Sequence, residues 1–418
     1  MDTAAGVKGL STLWDKLTSF ENLYQAATEA RSGKRFKDEV ARFHHDVGAN
    51  LVALRDELLG GHYRPGPYRT FTIYEPAKRF ISAAPYRDRV VHHALCRTIE
   101  PLFERSFIFD SYANRKGKGT HRALDRCTEY CRRFEYVFEG DVKLFFPSID
   151  HEILLDRLAR RIFDSRVMAL ARAIVEHSNP QPPSIAYFPG DDLFTPFDRR
   201  RGLPIGNLTS QFWANVYLDP LDHHFRDELG VPGYIRYVDD FLIFSNDKAL
   251  LTAWRDEAEA KLAGLRLRLH ERKRRIFPVA EGIPFLGFRV YAQDRRLLPA
   301  SVTRARRRLV RMAEEYERGE KSMDAVRRSV CAWIAHASHG NTTGLRRRLF
   351  QDAVFRAGGQ QCGAGRLDRR TVTTTSAFVA PVYYQLSLFW GGGGGKAALL
   401  RKAAVCFGNV QTAGPAPA

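Results

Sequence analysis

The feature that most constrains this chain is a pair of adjacent aspartates, Asp239 and Asp240, set between two apolar segments. Residues 234–238 and 241–244 on either side are mostly β-branched or aromatic, which is typical of short strands. The pattern therefore predicts a hairpin with both carboxylates at its turn. Carboxylates beside hydrophobic strands are costly unless a cation neutralises them, and Mg²⁺ accepts a few carboxylates while completing its shell with phosphates.

The composition favours a polyanionic partner. Among 418 residues, Lys+Arg 65 against Asp+Glu 47 give a net charge of +18. Nucleic acid is the first candidate and an anionic membrane the second, with simple solubility as the alternative. Six cysteines are too few for a disulfide framework in a chain of this length and fit a reduced cytosol. Because no signal pattern or apolar run of spanning length occurs, we expect a cytoplasmic protein without a membrane partner.

Hydrophobic periodicity divides the chain into helical and strand-like segments. Helices are predicted over residues 1–60, 90–103, 152–176, 251–262 and 302–350, and strands over 136–145 and 275–290. Residues 63–89 predict short strands and loops, and the prolines of 178–200 predict a surface loop. The glycine run at 391–395 lies in a segment that predicts a flexible tail.

A third aspartate, Asp141, closes the apolar strand within the string Phe-Glu-Gly-Asp-Val-Lys-Leu-Phe-Phe at 138–146. Either aspartate segment alone is more often an ordinary turn, but the two together, in this order, resemble the active-site motifs of reverse transcriptases. The resemblance implies that Asp141, Asp239 and Asp240 are catalytic. It implies that they and the backbone carbonyl of Val142 bind two Mg²⁺ ions, for which Mn²⁺ can substitute, in two-metal nucleotidyl transfer.

The same resemblance assigns residues to the incoming nucleotide. The string Lys-Arg-Phe-Ile at 78–81 is similar to the fingers segment of bacterial reverse transcriptases, which implies that Lys78 and Arg79 contact the triphosphate. Phe146 resembles a steric gate that excludes a ribose 2′-hydroxyl, with core packing as the alternative. Lys273 resembles the lysine near the pyrophosphate leaving group.

Template contacts are implied for a glycine-containing basic loop at 111–121. Its cations Arg115, Lys116 and Lys118 would neutralise template phosphates, with an exposed basic loop of no function as the alternative.

Primer and hybrid contacts are implied further along the chain. The string Phe285, Leu286, Gly287 is similar to a primer-grip hairpin that holds the primer end. The basic segment 302–350 resembles a thumb, in which Arg346 and Arg347 would contact an RNA–DNA hybrid through its backbone, with a solvated basic face as the alternative.

One stretch, residues 201–211, separates subtypes of reverse transcriptase. Most members carry Gln-Gly, three residues and then Ser-Pro here, whereas this chain has Ile205 before Gly206 and Gln211 after Ser210. This variant is similar to the reverse transcriptases of diversity-generating retroelements, which copy a template-repeat RNA with errors at adenines. The resemblance implies that Ile205, Gly206 and Gln211 bind the incoming nucleotide, and Ile205 is a candidate selectivity residue because it cannot form the hydrogen bond of a glutamine amide. Two alternatives stay open: a reverse transcriptase of antiphage defence or another bacterial retroelement, and an RNA-binding maturase-like factor with a vestigial site.

The resemblance also implies the architecture and the partners. The expected fold class is α+β, a right-hand polymerase with fingers, palm and thumb, in which the palm is an antiparallel sheet packed on helices. The expected parts are a helical N-terminal extension (1–62), fingers (63–136 and 152–203), palm (137–151 and 204–290), thumb (291–357) and flexible C-terminal tail (358–418). The implied partners are a structured template RNA, an RNA–DNA hybrid, dNTPs and an accessory basic protein.

Overall fold

The computed structural model describes residues 12–74, 79–179, 186–351 and 355. These residues form two compact units: the first runs to Leu286 and includes Val290–Gln293, and the second holds Gly287–Arg289 and the residues from Asp294 onward. The division lies near residue 291, where the sequence predicts the start of a thumb, and the division into fingers, palm and thumb stays a prediction. Lys78 and the predicted tail 358–418 lie outside the described residues. No described helix is both long and apolar enough to cross a membrane.

The N-terminal helices of the first unit pack around a long helix, α5. Side chains cap the first two: Thr12 forms a capping box at α1, and Ser19 accepts a hydrogen bond from the Asn22 backbone at α2. Leu17 and Leu23 are fully buried, as is Leu95 on α5. The predicted helical character is confirmed for residues 13–59, and residues 1–11 lie outside the described residues. The five helices are α1 (Leu13–Thr18), α2 (Phe20–Arg31), α3 (Asp38–His45), α4 (Val47–Leu59) and α5 (Tyr86–Glu104).

Residues between α4 and α5 form a two-stranded antiparallel ribbon, as the sequence predicts for this segment. Its strands are β1 (Arg69–Ile73) and β2 (Arg79–Ala83), and Ile73 pairs with Arg79.

A four-stranded antiparallel sheet forms the centre of the first unit, in the order β4-β5-β3-β6. The predicted hairpin is present, because Val238 and Asp239 connect β4 to β5. A Cβ at Gly140 of β3 would lie 2.4 Å from the ring of Phe241, so this close approach requires glycine. The predicted α+β class, with an antiparallel sheet packed on helices, is confirmed. The strands are β3 (Tyr136–Asp141), β4 (Gly233–Tyr237), β5 (Asp240–Ser245) and β6 (Arg275–Pro278).

Seven helices accompany this sheet in the first unit. The helix predicted over 152–176 is interrupted, because Asp150 and Asp164 each cap a new helix start with their carboxylates. The sequence gives no clear sign of α11, because that helix is buried on nearly every side and lacks an amphipathic pattern. The seven are α6 (Thr120–Arg133), α7 (Phe145–Ser148), α8 (His151–Ala159), α9 (Ser165–Glu176), α10 (Thr195–Asp198), α11 (Leu208–His223) and α12 (Lys248–Gly264).

The second unit is mainly helical and has its own apolar core. Leu309, Met312, Val330 and Phe350 meet in that core, while arginines of α13 remain on the surface. The segment predicted as one strand region, 275–290, is divided into β6 and two shorter strands by a 3₁₀ turn at Val279–Glu281 and a tight turn at Leu286 and Gly287. The remaining elements are β7 (Ile283–Phe285), β8 (Phe288–Val290), β9 (Arg295–Leu297), α13 (Pro299–Glu317), α14 (Met323–Ala337) and α15 (Thr343–Gln351).

Candidate active site

Two of the predicted catalytic carboxylates face each other across neighbouring strands. Asp141 is the last residue of β3, Asp240 is the first of β5, and the two are paired in register. Opposite residues of an antiparallel pair point to the same face with Cα atoms about 4.5–5.5 Å apart. Asp141 is only 8% exposed, and burial together with a hydrogen bond to Asp141 raises the pKa of the Asp240 carboxyl well above its usual range. The pair therefore attracts positive charge strongly.

The third carboxylate, Asp239, lies in the turn between β4 and β5. Val238 before it has a φ of +58°, in the left-handed region, and the Val142 N–H donates to the Asp239 carbonyl at 3.2 Å. Burial raises the pKa of Asp239, and the charge of Asp141 raises it further. The turn is thus fixed to the end of β3, which brings all three predicted carboxylates and the backbone of Val142 together.

Lys273 supplies the counter-charge for this site. Its Nζ lies 2.5 Å from Asp141 Oδ2 and 3.4 Å from Asp240 Oδ1. Burial alone would lower the pKa of the Lys273 ammonium, but the hydrogen bond to Asp141 and the charge of Asp240 outweigh burial and raise it. The sequence predicts a position beside the leaving group for this lysine, and the structure brings it to the carboxylates themselves.

These residues fit the Mg²⁺ ions that the fold family implies, in an open site. Two carboxylates that share an ammonium form a position where a cation is strongly favoured. Across the described residues, no three His, Cys, Asp or Glu side chains are arranged as a ready-made metal cage. Mg²⁺ does not need one, because it is held by one or two carboxylates plus substrate phosphates and water. Asp141, Asp239 and Asp240 are the residues that would hold it.

The predicted selectivity residue Ile205 is fixed beside β2. The Ile205 carbonyl accepts from Ser82 N–H at 3.0 Å, so the loop extends the edge of β2. Asn207 secures the same contact, since its side chain accepts from Ala84 N–H and donates to the Ser82 carbonyl, both at 3.2 Å. The sequence analysis missed Asn207, although a buried asparagine just before a helix is a detectable signal.

Gly206 must approach β2 closely for this contact to form. It has a φ of +120°, and a Cβ would lie 3.0 Å from the Ile81 side chain. Gln211 is exposed in the first turn of α11. Arg79, the first residue of β2, is exposed, and its positive charge lowers the pKa of Asp239, although burial outweighs that effect. The structure therefore brings Arg79 and the loop with Ile205 to the same strand.

Phe146 lies between Asp141 and this loop along the chain. Its ring is half-buried, 5.4 Å from the ring of Phe145, whereas Phe145 is almost fully buried. The Phe146 carbonyl accepts from the Leu203 N–H at 2.9 Å. Phe145 is thus the core member of the pair, and the gate function of Phe146 stays a prediction.

The predicted template loop holds Arg115 in a nearly buried position. Its side chain is 6% exposed, its guanidinium pairs with Glu104 at 2.7 Å, and it also donates to the Ile108 and Ser111 carbonyls. These contacts hold the loop in shape, and contact of Arg115 with a template phosphate stays a prediction. Lys118 donates to the Phe109 carbonyl and lies 3.3 Å from the ring centroid of that residue. Lys116 is exposed.

The predicted primer-grip and thumb residues are placed by the local backbone. Phe285 is buried at the end of β7, and Leu286 and Gly287 have φ values of +49° and +88°, which produces a sharp turn. Arg347 is exposed on α15, while the half-buried Arg346 donates to the Thr343 hydroxyl at 3.3 Å. Contact of any of them with nucleic acid stays a prediction.

A buried arginine supports the aspartate turn and was missed by sequence analysis. Arg236 of β4 is completely buried and forms two hydrogen bonds to Asp222, of 2.7 and 2.6 Å. It also donates to the Val238 carbonyl at 3.0 Å and to Asn215 at 3.2 Å. The arginine therefore ties the turn that carries Asp239 to α11. No local sequence signal predicts this, because its partners lie elsewhere in the chain.

Comparisons with known proteins agree with this geometry. A family model described as reverse transcriptase (RNA-dependent DNA polymerase) matches residues 75–290, just over half of the chain. Protein YkfC of Escherichia coli (strain K12) is 29% identical over 294 residues, covering 60% of this chain and 73% of that protein. The group II intron-encoded protein LtrA of Lactococcus lactis subsp. cremoris is 23% identical over 207 residues, 49% of this chain and 32% of LtrA.

Among solved structures, apo telomerase from Candida Tropicalis gives a TM-score of 0.44 with 10% identity, over 57% of this chain and 50% of that one. A partial Cas6-RT-Cas1--Cas2 complex gives a TM-score of 0.35 with 19% identity, over 60% of this chain and 42% of that one. The chain thus spans half or less of these structures and about a third of LtrA. Because the family model matches more than half of its residues, the chain belongs to the reverse transcriptase (RNA-dependent DNA polymerase) family.

Proposed function

We propose that this reverse transcriptase is of the diversity-generating type and copies a template-repeat RNA into error-prone cDNA. The observation that carries the proposal is the apolar Ile205 at the place where most members of the family have glutamine. The Ile205 carbonyl is bonded to Ser82 of β2, the strand that begins at Arg79, so this position is held beside the predicted triphosphate contact.

The expected effect of Ile205 on fidelity is modest and specific. A glutamine amide can form a hydrogen bond that orients the incoming nucleotide, whereas an isoleucine side chain cannot. One hydrogen bond contributes about 1 kcal/mol, which corresponds to a several-fold difference in discrimination. The bias toward template adenines is an expectation from the family resemblance alone.

The residues of the site have distinct roles in the proposed reaction. Bound Mg²⁺ would stabilise negative charge on the attacking and leaving oxygens. Asp141, Asp239 and Asp240 would hold the ions, and the carboxylates also keep the ammonium of Lys273 protonated. That proton is then available at Lys273 Nζ for the pyrophosphate leaving group. Arg79 would bind the triphosphate through its forked N–H donors.

The proposed partners follow from the same assignment. The net charge of +18 favours a structured template RNA and an RNA–DNA hybrid. We also propose an accessory basic protein and a cytoplasmic site of action. Co-purification of the chain from cytosolic extract with its RNA and with a small basic protein is the expected result.

Primer extension on an RNA template with Mg²⁺ and the four dNTPs, followed by sequencing, tests the subtype. Wild-type protein is expected to make errors concentrated at template adenines, and Ile205→Gln is expected to reduce them several-fold. Ile205→Leu is the matched control, because it keeps an apolar side chain of the same size. Accurate synthesis by the wild type would instead favour a defence or other retroelement enzyme. If protein alone makes no product, the assay is repeated with the RNA and the accessory protein.

A further inference from the structure

A positively charged pocket, called the basic pocket below, lies in the first unit, outside the carboxylate site. Its lining includes five cations, Lys143, Arg199, Arg201, Arg266 and Arg268, together with the ring of Phe188, and contains no acidic side chain. The pocket holds 70 Å³ of space open to the centre of a water-sized sphere. At about 10–15 Å³ for one water, that space equals about five to seven waters. It is large enough for one or two phosphate groups.

Two arginines of this basic pocket have charge to offer a ligand. Arg201 donates from Nη1 to the Pro196 carbonyl at 3.2 Å, and Arg268 donates from Nη2 to the Tyr187 carbonyl at 2.8 Å. Within the described residues, neither forms an ion pair with a carboxylate. Neutral carbonyls fix these guanidinium groups in place but do not neutralise their positive charges. A forked guanidinium held in this way is suited to phosphate oxygens.

The other three cations are only partly compensated. The buried carboxylate of Asp150 lies 3.4 Å from Arg199 and 2.6 Å from Arg266, and Asp191 also pairs with Arg199. The remaining acids, Glu152 beside Arg266 and Glu271 beside Lys143, are mostly exposed. Exposed pairs contribute little because water and salt screen them. Five cations against two buried carboxylates leave the pocket positive.

The backbone connects this pocket directly to the carboxylate site. Lys143 follows Asp141 by two residues, and its N–H donates to the Arg268 carbonyl at 2.8 Å. On the same two segments, the His270 N–H donates to the Asp141 carbonyl at 2.7 Å. The two segments that supply Lys143 and Arg268 to the basic pocket are therefore the same two that hold the end of β3 at Asp141.

We infer that the basic pocket binds free pyrophosphate, the anion that nucleotidyl transfer releases. This inference rests on the polymerase activity proposed above, and it adds a site that the carboxylates do not provide. The size of the basic pocket and its two anchored guanidinium groups match a small oligophosphate. A nucleic-acid backbone is a poorer match, because the Arg199 side chain is 5% exposed and lies inside the pocket, whereas cations that follow a backbone lie along an open surface.

Isothermal titration with sodium pyrophosphate, without divalent ions, dNTPs or nucleic acid, tests binding separately from catalysis. Wild-type protein is expected to bind pyrophosphate, and Arg268→Gln and Arg201→Gln are each expected to weaken binding about tenfold. Arg160→Gln is the matched control, because it removes one positive charge from an exposed arginine paired with Asp156. Arg268→Lys keeps the charge and is expected to restore part of the affinity, and unchanged thermal unfolding shows that the variants fold.

Three outcomes would overturn the inference. One is binding that Arg268→Gln and Arg201→Gln leave unchanged. Another is binding lost in Arg79→Gln alone, which would assign the anion to the nucleotide site. The third is weaker binding of an RNA–DNA hybrid by Arg268→Gln with unchanged pyrophosphate binding, which would make the pocket a backbone contact. If wild-type protein binds pyrophosphate but extends no primer, even with the RNA and the accessory protein present, the proposed function is contradicted and the pyrophosphate site is retained.

Discussion

Lys273 balances the charge of the predicted catalytic residues, because its ammonium contacts both Asp141 and Asp240. Burial raises the pKa of Asp240 and of Asp239, so ionising either carboxyl group at this site costs free energy. Removing one carboxylate charge should therefore harm catalysis much more than folding. We therefore expect the carboxylate charges to serve catalysis and not stability.

Asp141→Asn tests that statement at a single residue. We expect primer extension to fall by about 10³-fold or more, since an amide holds a divalent ion poorly, while binding of template RNA stays within about twofold. Single-turnover extension and filter binding measure the two effects. Asp156→Asn, an exposed carboxylate of α8, is the control. Loss of RNA binding together with activity would show misfolding, and full activity would revive the maturase-like alternative.

Sequence motifs predict residues whose role depends on their own segment. Asp141 and Asp239 belong to short strings with a fixed pattern, so their approach follows once the strands pair. The burial of Arg115 could not be predicted, because its partner Glu104 lies on another element and the two approach only in the tertiary fold. Arg236 and Asn207 were missed for the same reason: their partners are brought close only by the tertiary fold.

At the scale of elements, the hairpin of β4 and β5 depends on the buried pair of Arg236 and Asp222. We expect Arg236→Met to lower the free energy of unfolding by about 3–5 kcal/mol, because it leaves the Asp222 carboxylate buried without its partner. Urea unfolding measures this loss. Combining the change with Asp222→Leu removes the stranded charge and should recover most of the stability.

The double variant also separates stability from catalysis. Arg236 donates to the Val238 carbonyl, so without it the turn that carries Asp239 loses a support. We therefore expect the stable double variant to remain poor in primer extension. Wild-type extension by the double variant would mean that Arg236 contributes to folding only.

Helix α5 gives the molecule a predictable dependence on pH. Burial lowers the pKa of His92 to about 3, with smaller contributions from the neighbouring charges of His93 and Arg89. In the unfolded chain His92 takes up a proton as the pH falls below about 6.5, whereas in the folded protein it stays neutral down to about pH 3. The contribution of neutral His92 to stability is therefore complete above pH 6.5 and declines as the pH falls from there toward 3. The slope is about 1.4 kcal/mol for each pH unit.

His92→Leu should remove that slope. Between pH 7 and pH 5, we expect wild-type protein to lose about 2 kcal/mol more stability than the variant. Thermal or urea unfolding at several pH values measures the difference, and His45→Gln, at an exposed histidine of α3, should behave as the wild type. Parallel pH profiles of wild type and His92→Leu would contradict the assignment.

For the whole molecule, the fold class was easier to predict than the extent of each element. The palm-like sheet follows from apolar strands around Asp141 and Asp239, and the basic C-terminal segment from its helical periodicity. The break at Asp164 and the buried α11 were not predicted, because a cap contributes only about 1 kcal/mol and a helix buried on all sides shows no amphipathic pattern. Both features depend on packing against other elements.

The net charge of +18 gives a prediction that involves the entire chain. Binding to an RNA–DNA hybrid should weaken by about 10³–10⁵-fold between 50 and 200 mM salt if six to ten phosphates are contacted, since each contact releases condensed counter-ions. Fluorescence anisotropy at a series of salt concentrations gives the slope of log K against log salt. Arg347→Gln should lower its magnitude by about one, if the exposed basic side of α15 contacts the hybrid.

A control in the same unit makes this slope interpretable. Arg318→Gln removes an equal charge from an exposed arginine that pairs with Glu320, and it should leave the slope close to that of the wild type. Equal reductions in the two variants would indicate a general effect of net charge. An unchanged slope in Arg347→Gln would mean that this arginine belongs to a solvated face, and hybrid binding would then depend on other cations. Only a difference between the two variants assigns a phosphate contact to α15, because both carry the same total charge.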